Sequence, residues 1–281
     1  MTVLFEILKA ILFGIVEGIT EWLPVSSTGH MILLDEFVKL KVSPDFYEMF
    51  QVVIQLGVIL AVILLFFHKL NPFSPAKSDD QKKNTWQLWL KVVVAVLPSA
   101  VLGLLLDDWM DAHLYNYIVV AITLVLYGVA FLFVEKLNKK RSTQIASVYD
   151  IDYRTALLIG AFQCLSLIPG TSRSGSTILG AILLGVTRGA GAEFSFFLAI
   201  PTMLGASALK LLKFMLSGVS ATGLEIAVLL IGCVVSLVVS LLVIKALMEY
   251  VRKRSFAAFG VYRIALGVLV IGYFVVKTLV G

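Results

Sequence analysis

Six stretches of this chain are apolar for long enough to cross a bilayer, and that limits its fold more than anything else. They run roughly over 49–67, 88–106, 117–135, 194–212, 224–247 and 258–279. A spanning helix needs about 20 such residues. Composition agrees: 59% of residues are hydrophobic and only 15% charged, where a soluble domain carries about 25% charged. The expected class is an all-α polytopic membrane protein, because backbone groups in hydrocarbon must be satisfied inside helices. The gaps between apolar runs leave no room for a soluble domain, so residues 1–281 read as a single membrane domain.

Two further apolar regions do not fit the mould. Residues 1–40 are broken at WLPVSSTGH, and residues 154–187 at IPGTSRSGS. Each break is followed by a second short apolar arm, MILLDEFV in one and TILGAILLG in the other. A break inside hydrocarbon is tolerated only where it is buried in protein or lines a polar cavity. The simplest reading is a re-entrant helical hairpin at each.

The two breaks look like copies. GIVEGITEWLPVSSTG begins at Gly14 and GAFQCLSLIPGTSRSG at Gly160; Glu17 then matches Gln163, and Pro24 nearly matches Pro169. Three spans follow each motif. A hairpin adds no crossing and three spans add an odd number, so the second copy enters from the opposite side. The expected architecture is an inverted-topology repeat, repeat A about 1–137 and repeat B about 150–281. It has six spanning helices plus two re-entrant helical hairpins meeting near the membrane midplane, where such folds place their site.

Loop charge sets the orientation. With the N-terminus outside, the inside segments hold Lys69, Lys77, Lys82 and Lys83; Lys136, Lys139, Lys140, Arg141 and Arg154; Arg188; and Lys245, Arg252, Lys253 and Arg254. The outside loop DDWMDAHLYN, 107–116, has no Lys or Arg, and other outside loops have a few, such as Lys39, Lys41 and Lys213. The positive-inside rule favours both termini outside. The net charge of +5 is thereby assigned to membrane orientation and not to nucleic acid. The first residues, MTVLFEILKAILFGIVEG, lack a basic leader and a small-residue cleavage site, and read as part of the mature chain. Cys164 and Cys233 lie in apolar segments and read as packing residues.

The breaks carry the chemistry. Glu17 and Glu21 are four apart and share one face of a helix. Ionised carboxylates are costly inside a membrane, so such residues face polar cavities and act there; the plain alternative is one structural carboxylate paired with a buried base. Ser26, Ser27, Thr28, Gly29 and His30 follow Pro24. They read as a hydroxyl-rich cap on the next helix, or as an anion site at its free N–H groups. His30 is a candidate acid, base or nucleophile. In PGTSRSGST, Arg173 sits among Thr171, Ser172, Ser174, Gly175 and Ser176. That is either a phosphate cradle with a bidentate guanidinium or an arginine neutralising Glu17 or Glu21 across the repeat interface. It is not a Walker A loop, because the GK[ST] ending is missing. Gln51 and Gln55 are again four apart; they read as donors or interhelical glue, and Gln55 is placed with the substrate contacts. Glu193 is expected at the interface, Arg263 is expected to snorkel, and His68 and His113 are expected to be structural.

Carboxylates, hydroxyls, a histidine and an arginine at a midplane cavity suit a phosphorylated substrate. The glutamates alone would repel it. A divalent cation on Glu17 and Glu21 resolves this, Mg²⁺ first and Ca²⁺ as the alternative, since Mg²⁺ is typically held by one or two carboxylates plus substrate phosphates. A substrate reaching a site inside the bilayer is most simply a lipid phosphate or diphosphate.

EGxTExLPVSSTGH and PGxSRSGxT, with FQVVIQLG, AEFSFFLAIP and the repeat layout, resemble the bacterial undecaprenyl-diphosphate phosphatases of the bacitracin-resistance type over nearly the whole chain. The resemblance implies hydrolysis of undecaprenyl diphosphate to undecaprenyl phosphate and inorganic phosphate, which recycles the cell-wall lipid carrier. It implies resistance to bacitracin, which traps the diphosphate, and activity dependent on a divalent cation. It also implies a site in the bacterial cytoplasmic membrane, opening to the outer face. The family's functional residues fall here on Glu17, Glu21, Ser27, His30 and Arg173, with Ser27 the leading nucleophile and a directly attacking water as the alternative. A polyprenyl diphosphate lipid and the membrane are the expected partners, nucleic acid is not, and a homodimer is allowed. An acid-phosphatase-type lipid phosphatase is disfavoured, because no histidine follows Arg173 and no KxxxxxxRP pattern precedes it. A lipid transporter stays open, since inverted repeats with broken helices are also a transporter layout.

Overall fold

The computed structural model describes residues 2–138 and 145–280; Lys139, Lys140 and Arg141, counted above among the inside charges, lie outside the described residues. Helices are the regular elements of that part, apart from one isolated bridge between Ile145 and Val186. In order they are α1 (Thr2–Thr20), α2 (Ser27–Phe37), α3 (Pro44–Val53), α4 (Gln55–Leu65), α5 (Phe67–Leu70), α6 (Asp79–Leu114), α7 (Tyr117–Asn138), α8 (Tyr153–Cys164), α9 (Arg173–Leu183), α10 (Arg188–Leu216), α11 (Gly223–Lys253) and α12 (Ala257–Val280). Among the described residues, six segments are long and apolar enough to cross a membrane: α3 with α4, then α6, α7, α10, α11 and α12. Each contains or overlaps one of the expected spans. Their outer faces carry exposed Leu64, Leu97, Leu104, Leu126, Leu230 and Leu242, which suits lipid and not water. The chain is a multi-pass membrane protein.

The first span differs from expectation in starting at Pro44 and bending at Ile54. Pro44 suits the first turn, where a missing N–H costs nothing. The bend sets Gln51 and Gln55 on either side of it. The second span is longer than its apolar stretch, with 36 residues and a length of about 54 Å. Its polar start is closed by a capping box between Ser78 and Gln81, with Asp79 and Asp80 in the first turn.

Both broken regions are helix–break–helix hairpins, and their breaks are built alike. Ser26 caps α2 by accepting from the Gly29 N–H at 3.2 Å, and Ser172 caps α9 by accepting from the Gly175 N–H at 3.1 Å. Both serines hold positive φ, 74° and 73°, a conformation that costs about 1–3 kcal/mol in a non-glycine residue. The two serines stand at the same sequence separation as Gly14 and Gly160.

The halves also exchange partners. α1 of the first half packs against α11 of the second, and α8 of the second packs against α6 of the first. On α1, Gly14 and Gly18 lie against Gly232 and Ser236 of α11; a Cβ at either glycine would come within 2.8 Å of a carbonyl oxygen there. This is the small-residue stripe by which membrane helices approach closely. α7 and α12 cross where Gly128 and Gly260 each face the other's carbonyl. The first turns of α10, Ala190–Ile200, are buried on every side, as expected of a helix apolar all round.

Two sequence expectations change here. Arg263 does not snorkel: it is fully buried, because three backbone carbonyls supply the acceptors that water would otherwise provide. Glu193 is largely buried, and Lys69 reaches it at 2.6 Å. The free cysteines Cys164 and Cys233 lie against backbone carbonyls. His113 stacks on Trp109 and bonds its carbonyl, and His68 lies edge-on to Phe67.

Candidate active site

Glu21 is the centre of the site. It follows the last turn of α1, and its N–H still bonds the Glu17 carbonyl at 3.1 Å, which keeps the two carboxylates one helical turn apart. Ser27, the first residue of α2, donates its hydroxyl to Glu21 Oε2 at 2.6 Å. Arg173, the first residue of α9, donates Nε to Glu21 Oε1 at 3.2 Å. One carboxylate thus joins the polar residues of both breaks. All three side chains are largely buried, and in such surroundings charge-assisted bonds of this kind strengthen.

Arg173 is braced as well as paired. Its Nη1 donates to the Ser195 carbonyl at 2.8 Å, and its guanidinium lies 5.9 Å from the centre of the Trp22 ring. Nη2 lies 3.2 Å from Glu21 Oε1 but makes no aligned hydrogen bond, so it keeps donor capacity. Ser195 also meets Thr177, Oγ to Oγ1, at 2.6 Å. Sequence reading missed Ser195; a lone serine inside AEFSFFLAIP was the available signal.

A cleft of about 250 Å³ opens beside this pair. Glu17, Ser27, Thr28, Gln51 and Gln55 line it, with Glu48 in the middle of α3 and Asp111, Tyr115 and Lys210 near the ends of α6 and α10. Lys210 bridges Glu48 at 2.8 Å and Asp111 at 2.6 Å. These last four residues were not singled out from sequence, because they come from three distant segments and only folding gathers them.

The remaining predicted residues have other places. Ser26 and Gly29 form the cap of α2. His30 does not line the cleft: its Nδ1 lies 2.7 Å from the Ser26 carbonyl and its Nε2 2.7 Å from the Tyr262 hydroxyl. A carbonyl only accepts, so Nδ1 carries the proton and Nε2 accepts from Tyr262. Ser172 and Gly175 form the cap of α9, and Ser176 donates back to the Ser172 carbonyl at 3.0 Å. Ser174 donates to the Glu21 carbonyl at 2.9 Å, tying one break to the other. Thr171 is fully buried, and its hydroxyl has no partner. The hydroxyls of Ser172, Ser174, Ser176 and Thr177 therefore brace the breaks, and none of 171–177 lines the cleft.

Glu17 is 1% exposed, and its Oε1 is buried without a hydrogen-bond partner. An orphaned carboxylate oxygen in a polar cleft is costly unless a cation or proton satisfies it. Gln163, at the matching position of the second half, is instead satisfied: its Nε2 donates to Ser99 at 2.6 Å and to Thr202 at 3.2 Å. The two breaks share their serine cap, but Glu17 lines the cleft and Gln163 does not.

Comparison with known proteins places the chain in a family. The family model described as bacitracin resistance protein BacA matches residues 10–269. A protein of Lactiplantibacillus plantarum named undecaprenyl-diphosphatase is 59% identical over 271 residues, 96% of this chain and 98% of that protein. One of Enterococcus faecalis with the same name is 57% identical over 94% of this chain and 96% of its own length. Undecaprenyl-diphosphatase 1 of Clostridioides difficile is 58% identical over 96% and 97%. The chain belongs to the family of the bacitracin resistance protein BacA.

Proposed function

We propose that this chain is an integral-membrane phosphatase that hydrolyses undecaprenyl diphosphate to undecaprenyl phosphate and inorganic phosphate. Its relatives' names and its family support the reaction. The observation that carries the site is the Ser27–Glu21–Arg173 relay beside the cleft, with Ser27 Oγ 2.6 Å from a carboxylate.

Glu21 takes the Ser27 proton as Oγ attacks the terminal phosphorus. The bond from that phosphorus to the bridging oxygen breaks, and its electron pair leaves with undecaprenyl phosphate. Glu21 releases its proton to the solvent in the cleft, then accepts one from water as the water attacks the phosphoserine. It returns that proton to Ser27 Oγ, and inorganic phosphate departs. Arg173 fixes Glu21 from the opposite oxygen and offers Nη2 to the phosphoryl group. His30 holds the Ser26 carbonyl, and so the turn that aims Ser27. Glu17, with its unpartnered oxygen, would hold a divalent cation, Mg²⁺ or Ca²⁺, with Glu21 as the second ligand in the alternative where it does not activate Ser27. When bound, that ion supplies positive charge against the terminal phosphate.

The architecture is read as two inverted repeats, 1–137 and 150–281, whose hairpins enter from opposite faces of the bacterial cytoplasmic membrane. Exchange of partners between the halves supports this. The cleft reaches Asp111 in the last turn of α6 and Tyr115 just beyond it, in the segment 107–116 that the charge pattern puts outside, which supports a site open to the outer face with both termini on that side.

The nucleophile is tested by rapid quench with undecaprenyl diphosphate labelled in its terminal phosphate. Label on Ser27 within the first turnover, absent in Ser27→Ala, is the expected result. Full turnover with no adduct would assign the attack to water and leave Ser27 a phosphate contact.

A further inference from the structure

Arg263 lies on the last helix, outside both motifs, yet it touches both breaks. Its Nη1 donates to the Pro24 carbonyl at 3.1 Å and its Nη2 to the Gly170 carbonyl at 2.9 Å. Pro24 stands two residues before Ser26, and Gly170 two before Ser172. The guanidinium therefore grips corresponding points of the two hairpins, each just ahead of a serine with positive φ. Nη2 also lies 3.5 Å from the Thr123 carbonyl, and the group sits 5.5 Å from the centre of the Tyr127 ring. The side chain is fully buried.

Physical chemistry explains why an arginine is there. Each break frees carbonyls that a continuous helix would satisfy, and hydrocarbon offers no water to take over. A planar guanidinium carries five donors in a fixed fork and so reaches two carbonyls at once. Ammonium donors radiate from one point and cannot span the same pair in fixed geometry. Gly175 completes the seat: a Cβ there would lie 3.4 Å from Arg263 Nη1.

We propose that Arg263 is a positioning residue of the phosphatase reaction, one buried guanidinium that locks the two breaks in register so that Ser27 and Arg173 meet on Glu21. Ser27 is three residues beyond Pro24, and Arg173 three beyond Gly170, so an error in either loop passes directly into the relay. This rests on the reading of the cleft as the hydrolytic site.

The test compares Arg263→Lys and Arg263→Met with wild type, full-length in detergent, by turnover of undecaprenyl diphosphate and by amide hydrogen exchange. The expected loss in kcat is about 100-fold for methionine and smaller for lysine, with KM changed by less than about threefold. Exchange should rise in 22–29 and 168–175 together and stay unchanged in α11. Should the methionine variant fail to fold, the lysine variant carries the comparison. Wild-type kcat, or a fall in kcat with loosening of only one break or of neither, would overturn the proposal. If wild type itself released no phosphate, the hydrolytic reading would fall, and with it the catalytic half of this proposal; the exchange data would still decide whether Arg263 couples the breaks.

Discussion

Glu21→Gln is expected to lower kcat by about 10³-fold while the protein still inserts and purifies as a folded species. The substitution keeps the shape of the side chain but removes its negative charge and its ability to take a proton. Ser27 now donates to that carboxylate at 2.6 Å, and Arg173 to its other oxygen at 3.2 Å. Glutamine cannot accept the serine proton, which removes general-base assistance worth about 10²–10⁴-fold. It also leaves Arg173 as a buried cation without its counter-charge, and breaking a buried pair is strongly destabilising. A marked fall in thermal stability should therefore accompany the kinetic loss. Steady-state phosphate release, with KM determined separately, checks this. A kcat within tenfold of wild type would remove Glu21 from the chemistry.

The largest expected effect on folding lies away from the site, at Gly57 on α4. A Cβ there would sit 2.0 Å from the Cys233 carbonyl oxygen and 2.5 Å from Ser236 Oγ. The first obstacle is backbone, so only separation of α4 from α11 relieves it. Gly57→Ala is expected to cost about 3 kcal/mol, at the upper end for overpacking, read as loss of a monodisperse peak or a sharp drop in Tm. Gly189→Ala is the control, since nothing lies within 4 Å of a Cβ at that position; it should be neutral. Equal behaviour of the two variants would show that α4 and α11 do not pack as described.

Much of this was legible in the sequence, because membrane physics leaves few choices. Length and hydropathy alone located the six spans, and a proline among serines and glycines inside an apolar run marked each hairpin. The cost of isolated charge in hydrocarbon made an arginine paired with Glu17 or Glu21 one of two readings of Arg173, and the fold pairs it with Glu21. What escaped reading depended on three-dimensional assembly. The bend at Ile54 has no proline or glycine to announce it. The cleft takes Lys210, Glu48, Asp111 and Tyr115 from three segments, and no spacing rule joins them. Arg263 looked like a residue close enough to its helix end to reach water, and only the positions of the Pro24 and Gly170 carbonyls reveal why it stays inside. Local pattern made His30 a catalytic candidate, and only the fold shows that Ser26 and Tyr262 hold its ring. The hydroxyls of 171–177 read as a phosphate cradle, but capping and cross-bracing take up most of them.

The most direct test of the account is phosphate release from undecaprenyl diphosphate by the purified full-length chain in detergent with Mg²⁺, beside Arg173→Ala. The account predicts steady release by wild type and a loss of about 10²–10³-fold in a variant that remains folded. Binding of the lipid without release of phosphate by wild type, across several divalent cations, would contradict it and make lipid transport the better reading.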